Sequence, residues 1–130
     1  MIGLDTNVIV RYLTHDDPAQ TNAAVKLMDS LSQQSPGYMS LIVVVELVWV
    51  LQVSYQFKKS EIEQVLETLL RSKELVLERA DIVAQALRRF SSSRADFADC
   101  LIERSGHAVE CQHTLTFDRN AVTAGMKLLH

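Results

Sequence analysis

Short apolar runs and longer stretches at helical spacing take turns along the chain, with polar breaks between them. Ile2-Gly3-Leu4 is one such run. It stops at Asp5-Thr6-Asn7, the pattern of a buried strand that hands over to a helix N-terminus. Val8, Ile9, Tyr12 and Leu13 continue at helical spacing until His15-Asp16-Asp17-Pro18 interrupts them. Pro18 suits the first position of a second helix, which carries Ala19, Ala23, Val25 or Ala24, Leu27, Met28 and Leu31. After the Ser35-Pro36-Gly37 turn, Tyr38-Met39 reads as a second short strand.

Leu41 to Leu51 is rich in β-branched residues, so propensity alone favours a strand. Its length, Ser40 as an N-cap and apolar residues on every face favour instead a helix buried in a core, with Trp49 among the core residues. Ser60-x-x-Glu63 has the form of a capping box and opens a helix with Ile62, Val65, Leu66, Leu69 and Leu70. Leu75-Val76-Leu77 predicts a third strand. Ile82, Val83, Ala86, Leu87 and Phe90 predict a helix over 81–90, ended by Ser91-Ser92-Ser93. A further helix runs from Asp96 to Ser105 with Gly106 as its C-terminal cap. Cys111 to Leu115 predicts a fourth strand, and Met126 to Leu129 a terminal fifth. Strands alternating with helices imply an α/β fold whose mostly parallel sheet, of four to five strands, is covered on both faces. No repeat or low-complexity segment divides the chain, and 130 residues suit a single domain, residues 1–130.

Composition narrows the function classes. Apolar residues at 48% and charged residues at 22% describe a folding chain rather than a disordered one. A net charge of −3 excludes the general basic field of a protein that coats nucleic acid, so any such contact is local. No apolar run is long enough to span a bilayer, and no signal peptide is read at the N-terminus, which together predict a cytoplasmic protein. Cys100 and Cys111 lack the paired spacing of a zinc site and read as buried reduced thiols. His15, His107, His113 and His130 have no metal-binding spacing and form no catalytic triad pattern. Lys58-Lys59 and Arg88-Arg89 read as solvated helix ends, while Arg11, Arg94 and Arg119 are candidates to guide phosphate.

In an open α/β sheet, ligands bind beyond the carboxyl ends of the strands. Asp5 and Asp118 both follow a predicted strand, Asp99 lies in the first turn of a helix, and Glu46 interrupts an apolar helix where a carboxylate needs a partner. Two carboxylates about 4 Å apart repel by about 4 kcal/mol at an effective dielectric near 20. Convergence of these acids therefore calls for a cation, and hard oxygen donors select Mg²⁺ or Mn²⁺. Such a metal suits phosphodiester hydrolysis, because it provides hydroxide at neutral pH and counter-charge for the phosphoryl group.

Four segments carry these acids: Leu4-Asp5-Thr6-Asn7; Glu46 within Val-Val-Glu-Leu-Val-Trp-Val-Leu; Ala95-Asp96-Phe97-Ala98-Asp99-Cys100-Leu101-Ile102; and Leu115-Thr116-Phe117-Asp118-Arg119. In that order they resemble the four acidic motifs of PIN domains, over nearly the whole chain. The resemblance is greatest to the bacterial VapC toxins of type II toxin-antitoxin pairs, which are single-domain ribonucleases. It implies a three-layer α/β/α fold and a metal-dependent endoribonuclease. Asp5, Glu46, Asp99 and Asp118 would be the catalytic, metal-binding acids, with Mg²⁺ or Mn²⁺ as cofactor. Thr6 or Asn7, and Thr116, match polar positions that orient those carboxylates or the metal's water. Asp96, three residues before Asp99, is either the helix N-cap or a further acid of the site. The resemblance also implies an RNA substrate, a VapB-like antitoxin in the active-site groove, and a homodimer. Two rival classes are a noncatalytic PIN-like binding module and an Mg²⁺-dependent phospho-acceptor receiver; receivers carry paired acids after the first strand and a lysine near the last, and neither is placed here.

Overall fold

A computed structural model describes all 130 residues and divides into two compact units, residues 1–78 and 79–130. In the first, strands β1 (Ile2–Gly3), β2 (Gly37–Met39) and β3 (Leu75–Leu77) form a parallel sheet in that order. Gly37 is paired with both Ile2 and Leu75. Parallel neighbours need crossover connections, which are supplied by helices α1 (Thr6–Thr14) and α2 (Pro18–Ser30), then α3 (Leu41–Ser54) and α4 (Lys59–Arg71). The second unit holds α5 (Ala80–Ser92), α6 (Phe97–Ala108), β4 (Leu115–Thr116), the short α7 (Arg119–Val122) and β5 (Lys127–Leu128). Strands β4 and β5 pair in parallel as a separate sheet. The strands thus fall into sheets of three and two rather than a single sheet of four to five. Bonds from Lys127 N–H to the Thr114 carbonyl and from Leu129 N–H to the Thr116 carbonyl close the smaller pair on itself.

Local chemistry sets most element ends. Asp5 and Asp17 cap α1 and α2, accepting from Thr6 N–H at 2.8 Å and Gln20 N–H at 3.1 Å, and Pro18 opens α2. Ser40 Oγ accepts from Val43 N–H at 3.2 Å, so the β-branched run is a helix, as its cap and length predict. Other ends move. The start of α4 is set by Lys58 and Glu61, whose carboxylate accepts the Lys58 N–H at 2.9 Å, and not by Ser60 and Glu63. Helix α5 continues through Ser91 and Ser92, whose hydroxyl bonds back to the Arg88 carbonyl. Gly106 lies inside α6 rather than after it, and a Cβ there would stand 2.8 Å from Thr114 Oγ1. Close packing accounts for that glycine, not a left-handed cap. The fourth strand keeps only Leu115 of its predicted 111–115 range and adds Thr116.

The core of the first unit gathers Ile9, Met39, Val44, Leu47, Leu51, Ile62 and Leu66, all fully buried. In the second unit α5 and α6 pack together, with the Phe90 and Phe97 rings edge to face at 6.0 Å. Helix α3 is apolar all round, yet only Val44, Leu47, Val48 and Leu51 are buried. Ile42, Trp49 and Val53 are 74%, 61% and 54% exposed, which corrects the placement of Trp49 in the core. Cys100 is buried but Cys111 is exposed. Leu47→Ala should therefore destabilise the protein by about 2–5 kcal/mol in chemical denaturation, and Trp49→Ala by about 0.5 kcal/mol or less. Comparable losses for the two variants would contradict this assignment of the faces of α3.

Candidate functional site

In the first unit, β1 ends at Gly3 and buried Leu4 fixes the chain just before Asp5. Asp5 is extended and uses Oδ1 to cap Thr6 N–H; its Oδ2 has no partner in the chain. Thr6, 6% exposed, turns its hydroxyl to α3 and donates to Glu46 Oε1 at 2.7 Å. The structure thus links Asp5 and Glu46 through Thr6, whose N–H bonds the first and whose hydroxyl bonds the second. Glu46 is exposed, and the partner that its place in an apolar helix called for is a threonine hydroxyl. Asn7 lines a cleft of about 350 Å³ with Val8, Arg11, Gln20, Ala23 and Leu27, and of the two polar residues Thr6 is the one bonded to an acid's side chain through its own side chain.

In the second unit, Asp96 stands at the N-cap position of α6 but makes no side-chain capping bond. Asp99 lies in the first turn of the same helix and is partly buried. Burial, and then the charges of Asp96 and Asp118, push the Asp99 carboxyl above its ordinary value. Asp118 follows β4 and caps α7 by accepting Asn120 N–H on Oδ1 at 2.8 Å. Thr116 Oγ1 accepts the Asp118 N–H at 3.0 Å, so this threonine fixes the acid's backbone rather than its carboxylate.

A common rule emerges. Asp5, Glu46 and Asp118 each commit one oxygen to a donor of the chain and keep the other unpartnered. None of the four acids enters an ion pair. In neither unit do three His, Cys, Asp or Glu side chains stand close enough together to hold a metal ion. The donor chemistry nonetheless suits Mg²⁺ or Mn²⁺: the available atoms are all oxygen, and a cation would relieve the like-charge repulsion on Asp99.

Sequence reasoning missed Glu103, a carboxylate buried to 9% exposure, and its partner Arg89, which was read as a solvated helix end. Arg11 is likewise engaged, with Asp16, Gln20 and Tyr55.

The family model described as PIN domain matches residues 2–125. The chain belongs to the PIN domain family. Across 128 residues this PIN domain is 23% identical to the VapC ribonuclease of Aquifex aeolicus (strain VF5), an alignment covering 98% of this chain and 94% of the relative.

The shift on Asp99 has a definite sign. A carboxyl raised in the folded state binds protons more tightly there than when unfolded, so its contribution to stability falls as pH rises from the ordinary aspartate range through the raised value. In EDTA, Asp99→Asn should be more stable than the parent protein at neutral pH, and the advantage should vanish below the ordinary aspartate range. Denaturation midpoints across a pH series measure this; an asparagine variant less stable at neutral pH would contradict it.

Proposed function

We propose that this chain is a metal-dependent endoribonuclease that hydrolyses RNA phosphodiester bonds, and the toxin of a toxin-antitoxin pair. The observation that carries the reading is a set of carboxylates kept out of ion pairs in a PIN domain, one of them, Asp99, pushed above its ordinary value by burial and by the charges of Asp96 and Asp118. Similarity to a VapC ribonuclease supports RNA as the substrate class and the toxin role.

On this reading Asp5, Glu46, Asp99 and Asp118 are the metal-binding acids, each offering a carboxylate that stays outside every ion pair. When bound, Mg²⁺ or Mn²⁺ supplies counter-charge to the phosphoryl oxygens and makes hydroxide accessible at neutral pH. The chain's own part is positioning. Thr6 holds Glu46, Thr6 N–H holds Asp5, and Asn120 N–H holds Asp118, so each carboxylate presents its second oxygen in a fixed direction. Asp96, with no capping bond, adds negative charge beside Asp99 and strengthens the pull on a cation. Arg94 and Arg119 are exposed and outside every ion pair, which leaves them available to guide phosphate.

The partner side of the reading is a VapB-like antitoxin and a homodimer in the cytoplasm. Exposed Ile42, Trp49 and Val53 on α3 give a protein partner apolar surface to cover. No helix is long and apolar enough to cross a membrane.

Purified protein should cleave single-stranded RNA with Mg²⁺ or Mn²⁺ and stop in EDTA. Asp5→Ala and Asp99→Ala should lose more than the ~10–100-fold typical of residues that only support a metal ligand. Cleavage that persists in EDTA and in both variants would overturn the reading; a folded protein inert toward RNA would favour a noncatalytic binding module.

A further inference from the structure

Glu103 is the only buried charged side chain in the protein. A carboxylate in that position must be paired, and Arg104 already does so with two bonds, from Nε at 2.6 Å and Nη2 at 3.1 Å. Charge balance is therefore met by the neighbouring residue. Arg89 of α5 nevertheless reaches the same carboxylate, with Nη1 3.6 Å from Oε1. That Nη1 also donates to the carbonyl of Ala124, just beyond α7.

A second observation shows that room is kept for this reach. Gly125 has φ +112°, a backbone conformation that side chains rarely adopt, and a Cβ there would stand 2.6 Å from Arg89 Nη1 and 3.4 Å from Glu103 Cδ. Any larger residue would push the guanidinium away. A third tie sits close by: Arg94 N–H, two residues before Asp96, donates to Thr123 Oγ1 at 3.1 Å. The segment after α7 is thus fastened to α5 by Arg89 and to the loop before α6 by Arg94. Asp118 caps the other end of that one-turn helix, and Asp99 lies four residues before Glu103 on the same face of α6.

We propose that Arg89 and Glu103 are positioning residues for the acid set: Glu103 orients Arg89, Arg89 holds the Ala124 carbonyl, and the short α7 transmits that fixed position to Asp118 beside Asp99. The proposal rests on the nuclease reading for its consequence, but its geometry lies wholly within residues 79–130. A helix of four residues has too little structure to set its own direction, so its far end must be held for its capping acid to stay in place.

The test uses the full chain with Arg89→Met, Arg89→Lys and Glu103→Gln. Circular dichroism checks folding, calorimetry with Mn²⁺ alone gives cation affinity, and single-stranded RNA gives kcat and KM separately. Folded Arg89→Met should bind Mn²⁺ ~10-fold more weakly and lose ~10-fold or more in kcat at unchanged KM, the size expected for a residue behind a metal ligand. Arg89→Lys, which keeps the charge, should recover much of both. Folded Arg89→Met with parental Mn²⁺ affinity and kcat would overturn the proposal. Should Arg89→Met fail to fold, Glu103→Gln gives the same comparison with the same two outcomes. If the parent protein neither binds Mn²⁺ nor cleaves RNA, the nuclease reading fails, and positioning is decided by hydrogen exchange at the Asn120 amide, which Asp118 holds. Faster exchange in the variant supports the latch, and unchanged exchange overturns it.

Discussion

Carboxylates brought near one another without a cation repel, and a chain that holds them must resist that force at the backbone. The acids here are placed where the backbone itself helps. Asp5 and Asp118 cap helices, and Asp96 and Asp99 lie at the N-terminal end of a third; at the longer α1 and α6 the helix dipole favours negative charge by about 0.3–1 kcal/mol. Glu46 lies mid-helix in α3 and lacks that help, and it is the acid that receives a buried hydroxyl from a different element. Local backbone donors serve where they exist, and a long-range bond serves where they do not.

Much of the secondary structure follows from groups close in sequence. Asp17-Pro18 and Ser40 act within their own first turns, so the starts of α2 and α3 are legible without tertiary contacts. Positions that depend on a distant neighbour are not. Gly106 looks like a helix terminator until Thr114 is seen packed against it. Helix α3 shows the limit most sharply, because a helix apolar on every face carries no signal of which face is buried. Trp49 and Leu47 are therefore equivalent in the sequence and opposite in the fold.

The acid set was legible as residue types in an order, and the hydrogen bonds now divide the supporting residues by role. Thr6 holds a carboxylate, Thr116 holds a backbone, and Asn7 lines a cleft. No reading of Thr6-Asn7 alone separates the first from the last, because both are small polar residues at a helix start. Glu103 and Arg89 were hidden for a related reason. Glu103 precedes Arg104 in an ordinary charged stretch, and its burial arises from packing among α5, α6 and the segment after α7. The one clue in the sequence was Gly125, which by itself reads as a turn.

The distribution of arginines then explains why the acid set stays available. A guanidinium bound to one of these carboxylates would neutralise it and compete with a cation for the same lone pairs. Every such pairing in the protein goes elsewhere: Arg11 to Asp16, Arg79 to Asp81, and Arg89 and Arg104 to Glu103. Glu103 is the decisive case, because it lies one helical turn from Asp99 and takes two arginines at once. Its carboxyl is held below the ordinary range by Arg104 and more weakly by Arg89, while Asp99 on the same helix is pushed above it. Two carboxylates four residues apart are thus driven in opposite directions. One has its charge satisfied by two arginines, and the other has no ion-pair partner in the chain.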